Sequence, residues 1–144
     1  MIAYNVPSRA GTSLLAETID ELWQNEQVVA IKESSGDMTQ IQAVARALPR
    51  DRFLLAGDDA MILPTLAVGG QGAVSVLGNL LPAQMKELVA AARAGDFARA
   101  RTLHMQLLGG MQAVMSESNP TARPRRSLGS SPPATSLITN TDRL

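Results

Sequence analysis

Short, continuous aliphatic runs alternate with amphipathic helical stripes along this chain, and that alternation constrains its fold more than any other property. The first run, residues 2–6, closes on Pro7-Ser8-Arg9-Ala10-Gly11. Thr12 or Ser13 can then cap a helix whose residues Leu15, Ile19, Leu22 and Trp23 share one face. Val28-Val29-Ala30-Ile31 is too short for a helix and lacks polar alternation, as suits a strand buried on both faces of a parallel sheet. Lys32 to Gly36 leave that strand, and Asp37 caps a helix carrying Ile41, Val44, Ala45 and Leu48 before Pro49 ends it. The unit then recurs. Phe53-Leu54-Leu55-Ala56 is a strand, Gly57-Asp58-Asp59 a turn and cap, and residues 60–68 a helix interrupted near Pro64. Ala73-Val74-Ser75-Val76 is the fourth strand, Pro82 opens a helix that Gly95 ends, and a long helix runs from Asp96 to about Met115.

Alternating units of this length imply an α/β fold with a parallel sheet and right-handed crossovers. Four of them make either half of an eight-stranded barrel or a small open doubly wound sheet, and the pattern alone does not separate the two. Aromatic residues are only 3% of the 144, so the core must be aliphatic. Basic and acidic residues balance at 13 each, which removes the electrostatic case for nucleic acid or an anionic membrane. No cysteine is present and His104 is the single histidine, so disulfides, thiol nucleophiles and histidine- or thiolate-based metal centres are not expected. No apolar run approaches membrane-spanning length and no signal-peptide pattern opens the chain, so the expected setting is cytoplasmic. Residues 1–95 carry the strand–helix units, and 96–118 begin a further helical region. Residues 119–144, with Arg123, Arg125, Arg126 and Pro132-Pro133, have the composition of a disordered tail.

Functional side chains of parallel α/β folds gather at the carboxyl ends of strands. Lys32 directly continues Val-Val-Ala-Ile, which sets its stem in the sheet and its amine near the mouth. An amine drawn partly out of water is easier to use as an imine-forming nucleophile; a strand-end lysine that snorkels to solvent is the other reading. Tyr4, the one tyrosine, can relay a proton to a carbonyl or carbinolamine oxygen, or can plug the sheet end with its hydroxyl bonded to backbone. Arg9 lies on the same rim, where a guanidinium can grip a carboxylate or simply stand in solvent. Asp58-Asp59 reads as a helix cap and not a metal pair, because no further ligands cluster with it. Gly69-Gly70-Gln71-Gly72 precedes a strand instead of following one, so it is a turn and not a phosphate loop. His104 receives no role.

Taken together, Tyr4-Asn5-Val6-Pro7-Ser8-Arg9-Ala10-Gly11, Ile31-Lys32-Glu33-Ser34-Ser35-Gly36-Asp37, Leu54-Leu55-Ala56-Gly57-Asp58-Asp59-Ala60 and Gly69-Gly70-Gln71-Gly72-Ala73-Val74-Ser75-Val76 resemble the dihydrodipicolinate synthase family of pyruvate-dependent class I aldolases. The likeness holds in order and spacing through Pro120. It implies a (β/α)8 barrel of which this chain covers roughly strands five to eight with their helices, plus the start of the C-terminal helical region. It also implies a lyase of lysine and diaminopimelate biosynthesis that condenses pyruvate with aspartate semialdehyde. Lys32 would form the Schiff base, so no separate cofactor is expected. Tyr4 would relay protons, Arg9 would hold the second substrate's carboxylate, and the backbone at Gly57 and Val74 would contact the lysine and the pyruvate-derived group. The resemblance also implies the homotetrameric assembly usual in that family. Sialic-acid lyases usually lack an arginine at the place of Arg9, which leans the resemblance toward the synthase, although N-acetylneuraminate lyase and 2-keto-3-deoxygluconate aldolase types share much of the pattern.

Two departures give a second expectation. The first four strands of the family barrel, with the loop that binds the pyruvate carboxylate and supplies the relay threonine, have no counterpart in these residues. After Pro120 the arginine-, serine- and proline-rich stretch leaves the family pattern, as a frameshifted reading would. On that basis the chain is a truncated, catalytically silent fragment that self-associates or aggregates through its open sheet.

Overall fold

A computed structural model describes residues 1–115; the expected tail over 119–144 lies outside the described residues. The order of elements is β1 (Ile2–Asn5), α1 (Pro7–Ala10), α2 (Ala16–Leu22), β2 (Ala30–Glu33), α3 (Met38–Ala47), β3 (Phe53–Ala56), α4 (Ile62–Ala67), β4 (Gly72–Ala73), α5 (Pro82–Arg93) and α6 (Phe97–Met115). All strands pair in parallel, in the sequential order β1-β2-β3-β4. That order decides between the two architectures left open by the pattern. A doubly wound sheet reverses its strand order so that helices cover both faces, whereas a sheet that always steps the same way keeps its helices on one side and curls toward a barrel.

The burial pattern agrees. Ile31 and Leu54 face the helices and are fully buried with Ile19, Trp23, Val28, Ile41 and Val44. Ala56 joins a second cluster in which Leu88, Ala100 and Met111 fill the seam between α5 and α6. On the opposite face, Ile2, Tyr4, Phe53 and Val74 are all 43% or more exposed. An aliphatic sheet with one sealed face and one uncovered face, and with β1 and β4 as open edges, is the inner surface of a barrel segment. Among the described residues, no helix is long and apolar enough to cross a membrane.

Several boundaries differ from those the sequence suggests, each for a local reason. The second strand sits two residues later than Val28–Ile31, so Lys32 is the third of its four residues and does not follow it. Pro7 to Ala10 form a helical turn, which Gly11 closes at φ 70° by donating its N–H to Pro7 O. Neither Thr12 nor Ser13 caps α2; Leu15 stands at the N-cap without a side-chain bond, because Ser13 is engaged with Asn5. The fourth strand is shorter than Ala73–Val76. Val74 N–H still reaches Ala56 O at 2.8 Å, but the Asp59 carboxylate takes the N–H groups of Val76 and Leu77 at 3.1 and 2.6 Å. That capture draws the chain out of the ladder.

Candidate functional site

Lys32 and Tyr4 are register partners on β2 and β1, so the pleat sends both side chains to the uncovered face. Lys32 Nζ lies 4.1 Å from the centroid of the Tyr4 ring, within the range of a cation–π contact. Gly57 follows β3 directly and is buried. Its lack of a side chain is what admits the lysine stem: a Cβ there would lie 2.6 Å from Lys32 Cε and 2.7 Å from Lys32 Cγ, and would overlap Ser34 Oγ. Its N–H donates to Glu33 O at 2.8 Å, which pins the glycine to the strand that bears Lys32. Arg9 reaches the same mouth from α1.

These groups line a cavity of about 340 Å³ with Ser34, Ser35 and Asp58, a size suited to a small metabolite. Two cationic side chains and one carboxylate face it, a balance that favours an anionic guest. Asp58 is already committed, accepting the Ala60 N–H at 3.0 Å as the cap of the following turn. Ser34 Oγ is buried with no hydrogen-bond partner among the described residues, so a donor and acceptor stands idle beside the lysine. Of the sequence candidates, the cavity brings together Tyr4, Arg9, Lys32 and Gly57. Val74 is not part of its lining; it lies on the same inner face with its side chain exposed and its N–H given to Ala56 O.

Sequence reasoning overlooks a buried polar layer behind the cavity. Asn5 and Glu33 are both 1% exposed and joined by a 2.8 Å hydrogen bond, and Asp59 is equally buried. A signal for the first two does exist. They directly follow Tyr4 and Lys32, and strand alternation points successive side chains to opposite faces. His104, assigned no role, is also buried, with Nδ1 unpartnered among the described residues. Burial holds its imidazole below the usual 6.5. It faces a groove between α4 and α6, lined by Leu63, Phe97 and Arg101 among others, away from Lys32.

Comparison with known proteins agrees with this geometry. The model of the dihydrodipicolinate synthetase family matches residues 1–123. A 4-hydroxy-tetrahydrodipicolinate synthase of Methanoculleus marisnigri is 44% identical over 121 residues, covering 83% of this chain and 42% of the relative. That of Thermomicrobium roseum is 45% identical over 120 residues, covering 83% and 40%. Among solved structures, dihydrodipicolinate synthase from Aquifex aeolicus superposes with a TM-score of 0.79 at 38% identity, over 83% of this chain and 41% of that one. The chain thus spans about two fifths of the length of these relatives. A one-sided sheet of four sequential parallel strands is what part of a (β/α)8 barrel must look like, and with the family model running through all four strands, this chain belongs to the dihydrodipicolinate synthetase family.

Proposed function

We propose that Lys32 forms an imine with pyruvate, and that these residues carry the imine-forming side of a lyase that joins pyruvate to aspartate semialdehyde in lysine and diaminopimelate biosynthesis. The observation that carries this reading is the placement of the Lys32 amine against Tyr4 at the mouth of a small cavity shared with Arg9. The Lys32 amine attacks the pyruvate carbonyl carbon, and the carbinolamine hydroxyl leaves as water after Tyr4 passes it a proton. The protonated imine nitrogen is then the electron sink, so a methyl proton is lost and an enamine forms. The enamine carbon bonds to the aldehyde carbon of the second substrate, whose carboxylate Arg9 holds. That substrate's own amine displaces Lys32 by transimination and closes the ring. Gly57 keeps the lysine stem in place, and Val74 presents backbone to the pyruvate-derived group. No metal or separate cofactor enters these steps. The setting we infer is cytoplasmic.

Coverage favours a second reading for the 144 residues by themselves. Relatives are about twice as long, and the uncovered sheet face leaves Lys32 without the carboxylate-binding loop and relay threonine that the family resemblance implies. Under that reading the chain does not turn over, and its open face and edges drive association; sedimentation at rising concentration would show a single monomeric species if this is wrong.

The chain has only two lysines, Lys32 and Lys86, which gives the test an internal control. The purified chain is incubated with pyruvate and borohydride, and the reduced adduct is mapped by mass spectrometry. We expect the adduct on Lys32 in preference to Lys86, and its loss in Lys32→Arg. Equal labelling of the two lysines would refute the imine reading. An adduct at Lys32 without turnover of aspartate semialdehyde would separate the second reading from the first, and turnover with a sugar-acid aldehyde instead would assign the chain to the related aldolases.

A further inference from the structure

Behind Lys32 and Tyr4 lies a polar pair that the imine steps do not use. Asn5 and Glu33 are register partners one residue beyond Tyr4 and Lys32, each 1% exposed and each pointing to the helix side. Asn5 Nδ2 donates to Glu33 Oε2 at 2.8 Å. Glu33 Oε1 accepts the Ser35 N–H at 2.6 Å, and Asn5 Oδ1 accepts the Leu14 N–H at 2.9 Å. Main-chain bonds finish the junction: Ser34 N–H donates to Asn5 O and Gly57 N–H to Glu33 O, both at 2.8 Å. Gln40 Nε2 ties α3 to Leu14 O at 2.7 Å.

Burying a carboxylate and an amide costs more than burying an apolar pair of equal volume, which would glue two strands at least as well. What the polar pair adds is direction. Its donors and acceptors fit only one register of β1 on β2 and only one path for the two loops that leave them. One step along each strand, that register sets the Tyr4 ring over the Lys32 amine. We propose that Asn5 and Glu33 are positioning residues that hold Tyr4 and Lys32 in the geometry needed for proton relay to the carbinolamine. The inference rests on the imine reading for its chemistry and on the hydrogen-bond layer for its geometry.

The test exploits the directionality. Asn5→Asp sets two carboxylates face to face, and Glu33→Gln turns an amide N–H₂ toward either Asn5 Nδ2 or the Ser35 N–H. Each keeps volume and breaks one donor–acceptor match. The double variant Asn5→Asp/Glu33→Gln exchanges the roles, so that the new amide donates to the new carboxylate while Leu14 and Ser35 keep their acceptors. Each single is expected to lower the Lys32-to-Lys86 ratio of borohydride-trapped pyruvate roughly tenfold and to shift its pH profile, with the double returning to within about threefold of the parent. A Leu88→Ala variant, destabilised in the α5–α6 seam far from the pair, should leave ratio and profile unchanged. A double no better than the worse single, or singles that leave both readouts intact, overturns the inference. If a single fails to fold, parent and double are compared alone, and non-coincident pH profiles overturn it. Overhauser contacts between the Tyr4 ring and the Lys32 side chain, lost in the singles and restored in the double, need no pyruvate; they decide the positioning even where the parent gives no adduct and the imine reading has failed.

Discussion

Gly57→Ala is the sharpest perturbation of the lysine cradle. The new methyl would overlap Ser34 Oγ and stand 2.6 and 2.7 Å from Lys32 Cε and Cγ, where carbon–carbon contacts settle at about 3.5–4.0 Å. Relief requires a displacement of about 1 Å. Gly57 cannot retreat easily, because its N–H is bonded to Glu33 O; the lysine stem and the serine hydroxyl must move instead. Overpacking of this kind costs about 1–3 kcal/mol, and flexible neighbours place it toward the lower end. With a urea m-value of about 1–3 kcal/mol/M for small proteins, the unfolding midpoint should fall by roughly 1 M or less. The reactive amine suffers more. A misplacement of about 1 Å can cost on the order of 100-fold in rate, so borohydride trapping at Lys32 should collapse relative to Lys86. Adding Ser34→Gly removes the worst overlap without touching the lysine contacts. The double variant should therefore recover part of the stability and none of the reactivity. If Gly57→Ala keeps the Lys32-to-Lys86 ratio within about twofold of the parent, the glycine does not serve the lysine and the cradle argument is wrong.

Two further expectations concern the buried groups. Asp59→Ala strips the acceptor from the Val76 and Leu77 N–H groups; at about 1–3 kcal/mol for each unsatisfied donor, a urea-midpoint drop and faster amide exchange at those two residues should follow, and unchanged exchange there would show that Asp59 does not hold the turn. His104 has a folded-state pKa below the 6.5 of a free imidazole, because burial disfavours the cation. Its contribution to stability is therefore complete above 6.5 and is lost as pH falls from there through the folded value. Urea unfolding at about pH 7.5 and about pH 5 should show a pH-dependent loss that His104→Gln reduces; an equal loss in both proteins would assign it to other groups.

Which parts of this structure a sequence can disclose depends on how local their causes are. The stripe Ile41, Val44 and Leu48 after Asp37 suffices to place α3, because both its face and its cap are set within one segment; Asp37 does accept the Thr39 N–H, at 2.8 Å. The bounds of β2 and β4 are not local. Val29 is drawn alongside Met1 by a main-chain bond from the other end of the βα unit, and Val76 is taken from the ladder by a carboxylate 17 residues earlier. Choosing barrel over doubly wound sheet likewise needs the strand order, which no single segment contains. The site divides in the same way. A lysine ending an aliphatic strand is visible as a candidate, and so is a tyrosine ending another, but nothing in either segment says that they meet.

Their meeting depends on register, and register in a parallel pair is set through space. Shifting β1 by one residue on β2 would send Tyr4 to the helix side and leave Lys32 opposite Ala3 or Asn5. The hydrophobic pattern gives little protection against that slip. Ile2 and Ala3 are both apolar, and the inner face of this sheet is uncovered in any case. What discriminates the native register is the cost of burying Asn5 and Glu33 anywhere but against each other. The pair that strand alternation sends to the helix side therefore enforces the one contact, Tyr4 over Lys32, on which the proposed chemistry depends.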